Sequence, residues 1–329
     1  MSAKGPGRPT NLVRMTPSRK HVTLTIAVSV VVSLVAAVGW WTGGGGSTSV
    51  ALRASTASPA PSTSPTPSDS TGQQPASEQP KADAVDAQAQ LSAREAALTT
   101  TLTQLTSSSG VDFAVTVVDH TSGTTFTFNG DTTFETASVV KVEILAALLL
   151  QNDGTLTASQ KQLADVMIRQ SDNDAASALW GQIGDVNGLA DASSVLGLTD
   201  TVPGTGGWWS LTTTTVADQA RLVDSIVAPD GPLGSSNQTI TDLMGSVSDD
   251  QDWGISAAAH DGESVILKNG WMPRSNQGGL WTVNSVGQIT GAGTDLTMAI
   301  MTRGSASSAS GIALVEQLAK LARAALEPS

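Results

Sequence analysis

The sequence contains no cysteine. This excludes disulfides, thiolate catalysis, thiolate zinc sites and a cysteine-linked lipid anchor. Positive charge is scarce: 17 Lys and Arg face 29 Asp and Glu, a formal net charge of -12, which argues against a nucleic-acid partner. The acids are scattered, with no cluster at metal-ligand spacing. His21 abuts an apolar run, His120 lies at a turn and His260 in a loop. Neither a metal nor a cofactor is therefore expected. Residues 1–20 hold Lys4, Arg8, Arg14, Arg19 and Lys20 and no acid, so the remainder carries 12 basic against 29 acidic side chains, a net of -17. Such a body is soluble and a poor host for polyanions.

Charge is absent altogether from Val22 to Trp41, VTLTIAVSVVVSLVAAVGWW. The run is long enough to cross a bilayer at about 1.5 Å per residue. Positive residues precede it, and Trp40-Trp41 suit the far interface. The pattern predicts a basic cytoplasmic tail (1–21) and one transmembrane anchor (22–41), with everything after it outside a bacterial cell membrane. A cleaved signal peptide is the competing reading. Residues 42–82 run GGGGSTS and then SPAPSTSPTPSDS, too polar and Pro-rich to bury a core, so a disordered tether is expected.

The folded domain is predicted over 83–329. Leu91, Leu98, Leu102 and Leu105 recur at helical spacing. Val111, Phe113, Val115 and Val117 alternate as in a strand, Thr121-Ser122-Gly123 turns the chain, and Thr124–Phe128 pairs back. A helical middle follows, with segments near 163–169, 175–180, 189–196, 213–227 and 239–247. A Gly-rich loop, VPGTGGWWSL, spans 202–211. Strands are expected at 264–269, 280–289 and 295–302, then a last helix over 309–326. This order implies an α+β fold: one antiparallel sheet of about five strands, terminal helices on one face, a second helical lobe, and a cleft between the lobes.

The most telling stretch is Thr136–Gln151, TASVVKVEILAALLLQ. Thr136 suits a helix cap, and Asn152-Asp153-Gly154 suits a stop. Ser138 and Lys141 are three apart, so a helix sets hydroxyl and amine on one face. The rest of the helix is apolar on every side and belongs in a core. A lysine sunk there is desolvated, which lowers its pKa and makes it a proton acceptor for a neighbouring serine.

Two further motifs follow in order, Ser171-Asp172-Asn173 in the helical middle and Lys268-Asn269-Gly270 at the end of a predicted strand. With Ser138-Val139-Val140-Lys141 they resemble the Ser-x-x-Lys, Ser-Asp-Asn and Lys-Thr-Gly trio of class A β-lactamases and penicillin-recognising serine hydrolases. The resemblance covers residues 83–329. It implies the β-lactamase/transpeptidase-like fold and assigns roles. Ser138 attacks a carbonyl, Lys141 accepts its proton, and Ser171 relays a proton to the leaving nitrogen. Asn173 binds the substrate amide, Lys268 and Asn269 face the substrate carboxylate, and Gly270 lets the strand edge approach the ligand. The backbone N–H groups of Ser138 and Trp271 form an oxyanion hole. Partners implied are a β-lactam or a D-Ala-D-Ala-type peptidoglycan peptide. Two lysines beside one serine depress each other's pKa.

Three departures from the family pattern stand out. The Glu-x-x-Leu-Asn loop that activates the deacylating water has no counterpart, since 202–211 contains no acid. Asn269 replaces Thr. The segment from Lys141 to Ser171 is short, implying a reduced helical lobe. These favour slow β-lactam turnover. They leave open a non-catalytic module that binds cell-wall peptide or protein, and a true β-lactamase with another deacylation route. Trp208 and Trp209 read as loop anchors ahead of a substrate platform.

Overall fold

A computed structural model describes residues 79–327. The basic tail and the predicted membrane anchor lie outside them, as does most of the predicted tether. Among the described residues no helix is long and apolar enough to cross a membrane.

Helix α1 spans Gln79–Ser109. It begins before the tether was predicted to end at 82, because Pro80 sits in the first turn, where its missing N–H costs no hydrogen bond. Strands β1 (Asp112–Asp119), β2 (Thr124–Phe128) and the short β3 (Phe134–Glu135) follow. The helical middle comprises α2 (Val140–Gln151), α3 (Ala158–Arg169), α4 (Asn173–Ile183) and α5 (Asp185–Leu196). Next come β4 (Thr213–Thr214), α6 (Val216–Val227) and α7 (Asn237–Met244). The chain closes with β5 (Ser264–Arg274), β6 (Leu280–Gly291), β7 (Thr294–Ser305) and α8 (Ser308–Leu326).

Five strands form one antiparallel sheet in the order β2-β1-β7-β6-β5. Both faces are covered, so alternate residues of one strand enter different cores. Phe113, Val115 and Val117 face α1 and α8 with Leu98, Leu102, Val315 and Leu318. Ala114, between them, faces α6 with Val216, Val223 and Met301. The helical lobe has its own core around α2, whose residues from Val140 to Leu149 are all buried. A buried Leu or Ile contributes about 1.5–3 kcal/mol, so α2 is held firmly in the core and carries Lys141 on a fixed support. Local caps start both α3 and α4: Thr157 and Gln160 form a capping box on α3, and at the end of α4 next to the site Asp172 accepts from Ala175 N at 2.7 Å.

The strand carrying Lys268-Asn269-Gly270 is longer than predicted. It continues in register with β6 from Gly270 opposite Asn284 to Arg274 opposite Leu280. The motif therefore lies mid-strand, because β6 keeps offering partners beyond it.

Candidate active site

Ser138 sits in a 3-10 turn, Ala137–Val139, that runs directly into α2. Thr136 is not the cap the sequence suggested. Its backbone is already helical and its side chain makes no capping bond. The turn is held by tertiary contacts instead. Asn284 Nδ2 on β6 donates to Glu135 O at 2.9 Å and to Thr136 O at 3.0 Å. Arg274 at the far end of β5 makes a two-point ion pair with Glu135. Ala137 has φ +49°, a left-handed conformation that costs a non-glycine residue about 1–2 kcal/mol. This strain and the two clamps fix the serine at the mouth of the cleft.

Lys141, one turn on, has no measurable exposure. Its Nζ donates to Ser171 O at 2.6 Å and Asn173 Oδ1 at 2.8 Å, and lies 3.1 Å from Ser171 Oγ. The first two partners only accept, so the third position faces the Ser171 hydroxyl. The partners of the amine are thus Ser171 and Asn173, and not Ser138. Ser171 has φ +56°, which turns its carbonyl inward to meet the lysine. Burial pulls the Lys141 pKa down to about 7, with Asp172 opposing the shift. The Trp209 ring lies 4.9 Å from the ammonium.

Lys268 reaches the same hydroxyl from the opposite wall. Its Nζ is 3.1 Å from Ser171 Oγ and 2.9 Å from Asn269 O. Burial first, and the Lys141 charge second, hold its pKa well below the usual lysine range. The Ser171 hydroxyl therefore bridges two amines, both of which lose protons easily.

Asn269 turns away from the cleft. It is 1 % exposed, and its amide donates to Gln251 O at 2.8 Å and Trp253 O at 2.9 Å. Both donors are committed to the 251–253 segment and neither is free for a substrate carboxylate. The need for glycine at 270 also differs from expectation. A Cβ there would fall 2.7 Å from Ser138 N, 2.7 Å from Thr136 O and 2.8 Å from Val139 N. The glycine makes room for the serine turn of the protein itself.

The cleft at Ser138 has a volume of about 320 Å³ and is lined by Ser138, Asn173, Ser177, Trp208, Trp209, Trp271 and Met272 among others. No charged side chain lines it among the described residues. Trp209 is an anchor as predicted: it is 8 % exposed, and its Nε1 donates to Ser177 Oγ at 3.1 Å. Trp208 is not, being 65 % exposed on the cleft wall. Sequence reasoning also missed Glu143, two residues after Lys141 on α2. It is fully buried, accepts from Ser193 Oγ, and is pushed up to about 8 by desolvation. A lone acid inside an apolar helix was the available signal. Asn284 and the 251–253 segment carried none.

The family model described as "Beta-lactamase enzyme family" matches residues 97–161 and 150–326. The chain belongs to the beta-lactamase enzyme family. Among curated relatives, "Putative lipoprotein LppW" of Mycobacterium tuberculosis is 30% identical over 173 residues, 50% of this chain and 55% of that protein. The chain thus spans about half the length of the curated relatives it matches. Among solved structures, a class A beta-lactamase from Mycobacterium abscessus aligns with TM-score 0.60 and 22% identity over 69% of this chain and 98% of that one. PBP-A aligns with TM-score 0.60 and 20% identity over 69% and 95%. A PBP-A mutant described as an acyl-enzyme complex with penicillin-G gives the same TM-score. At these identities the likeness is one of fold.

Proposed function

We propose that this protein is a membrane-tethered, extracytoplasmic serine hydrolase that forms an acyl-enzyme at Ser138. The acyl donors that the family and the fold suggest are β-lactams and D-Ala-D-Ala-type cell-wall peptides. The observation that carries the reading is the Ser171 hydroxyl bridging Lys141 and Lys268 at 3.1 Å each, beside a strained serine turn. A purely structural polar cluster would not need two desolvated lysines on one hydroxyl.

In this reading Ser138 Oγ adds to the carbonyl carbon. Its proton goes to Lys141, which is half unprotonated near pH 7. Ser171 then passes a proton from the lysine pair to the leaving nitrogen, and the C–N bond breaks. Asn173 orients the substrate amide. The backbone N–H groups of Ser138 and Trp271 hold the oxyanion, a contribution worth about 3–4 kcal/mol where one such donor has been removed. Water then hydrolyses the ester. No carboxylate lines the cleft among the described residues, so no acid is placed there to activate the deacylating water and deacylation is slow.

Membrane attachment through residues 22–41 completes the reading. The name of the mycobacterial relative supports attachment, and a chain without cysteine has no thiol to lipidate. Intact-mass measurement after incubation with a penicillin tests the proposal. An adduct that persists for hours and disappears in Ser138→Ala supports it. Labelling that survives Ser138→Ala overturns it, and absence of any adduct favours the binding module.

A further inference from the structure

We propose that Asn269 is a positioning residue, which closes a ring of hydrogen bonds through residues 246–253 and so holds Ser171 of the helical lobe against Lys268 of the sheet. Its part in acylation rests on the acyl-enzyme reading above; the ring itself does not.

The two walls of the site meet where Lys268 Nζ lies 3.1 Å from Ser171 Oγ. One bond between two side chains does not by itself fix the spacing of two lobes. The segment 246–253 supplies a second tie. On the helical side α3 ends at Arg169, two residues before Ser171. Arg169 O accepts from Ser248 N at 3.0 Å and from Ser248 Oγ at 2.8 Å, and Arg169 Nε donates to Ser246 O at 2.7 Å. On the sheet side Asn269 Nδ2 donates to Gln251 O at 2.8 Å and to Trp253 O at 2.9 Å. Only Asp249 and Asp250 separate the two anchorages. They lie in a 3-10 turn, Asp249–Gln251, closed by Gln251 N donating to Ser248 O at 2.7 Å.

The bonds therefore form a closed circuit: Lys268, Asn269, Gln251, Ser248, Arg169, Ser171 and back to Lys268. No stretch of chain within it is longer than four residues, so few torsions are free to let the walls part. Its joints on the sheet side are buried, with Asn269 1 % and Gln251 3 % exposed. A bond lost there leaves an unpaired polar group instead of one satisfied by water. The segment is also packed tightly beyond the ring. Ile255 N donates to Ser285 Oγ on β6 at 3.0 Å, and a Cβ on Gly254 would fall 2.6 Å from Ser285 Cβ and 3.1 Å from Asn269 Oδ1.

The residue type fits the task. Two carbonyls call for two N–H donors on one side chain, which an amide supplies and the single hydroxyl of a threonine does not. The departure from Lys-Thr-Gly at Asn269 thus has a structural use on the side of the strand away from the cleft.

Asn269→Ala and Ser248→Ala in the full chain test the proposal. The first opens the ring at β5, and the second removes one of the two bonds to Arg169 O. The charged groups around Ser171 are Lys141 of α2, Lys268 of β5 and Asp172 ahead of α4. Burial holds Lys141 near about 7, so walls that part admit water and let it rise. NMR titration of the lysine side chains reads this directly, with the Lys141 signal assigned by its loss in Lys141→Gln. In Asn269→Ala the midpoint is expected to rise by about one pH unit, and in Ser248→Ala by less. The pH profile of acylation moves with it, and the rate at pH 7 falls about fivefold, because one unit cuts the unprotonated fraction from about a half to about a tenth. Variants that melt earlier but keep the wild-type midpoint and acylation profile when folded leave Asn269 a purely structural residue and overturn the inference. If Asn269→Ala does not fold, Ser248→Ala decides by the same criterion. Raised midpoints in a protein whose wild type is never acylated support the ring and remove the acyl-enzyme reading alone.

Discussion

Gly270→Ala puts one methyl group where the structure has only backbone. The new Cβ meets Ser138 N and Thr136 O at 2.7 Å and Val139 N at 2.8 Å. Comfortable contact begins near about 3.5 Å, so the serine turn must retreat from β5 by about 0.8 Å. It cannot do so freely. Asn284 holds Glu135 O and Thr136 O from beneath, and α2 is buried from its first residue. Overpacking of this kind costs about 1–3 kcal/mol, which for a domain of this size lowers Tm by about 2–12 °C. The chemical loss is larger. The displaced atoms include Ser138 N, the proposed oxyanion donor, and a misplacement near 1 Å costs about a hundredfold in rate. Acylation followed by intact mass, alongside a thermal melt, reads both quantities. A Gly270→Ala protein that acylates within about twofold of wild type and melts within a degree of it would refute the close packing of β5 on the nucleophile turn.

Acylation should rise with pH through about 7, because burial lowers Lys141 to that value and only its unprotonated form accepts the serine proton; a rate that is flat from pH 5 to 9 would remove Lys141 as the base. Glu143→Gln should stabilise the protein increasingly as pH rises from 5 to 8. The buried acid, raised to about 8, holds a proton that the unfolded chain has lost, so wild-type stability falls across that window by up to about 1.4 kcal/mol per pH unit. A constant difference between variant and wild type in melts at each pH would contradict this. Asn269→Ala strips the buried Gln251 and Trp253 carbonyls of their donor and should cost about 2–4 kcal/mol in denaturant unfolding; a change below about 0.5 kcal/mol would show that the segment is held by other contacts.

Local chemistry decided much of this protein in advance. The run from Val139 to Leu150 contains only Lys141 and Glu143 as polar groups, and a helix that apolar has nowhere to go but a core. Ser138 and Lys141 share a face whatever the helix packs against, because three residues is nearly a turn. Alternation in β1 and the order of the three motifs likewise follow from spacing along the chain. What only the tertiary structure decided are contacts made across long separations. Asn269 occupies the place of a substrate-facing hydroxyl in the motif, yet its amide is claimed by carbonyls 16 and 18 residues earlier. Gly270 is required by a turn more than a hundred residues before it, and Asn284 holds that same turn through bonds that no local pattern announces. Trp208 and Trp209 are neighbours of one residue type, and one is buried while the other stands open on the cleft wall. Periodicity reports which face a side chain is on; which atoms wait on that face depends on strands brought together from distant parts of the chain.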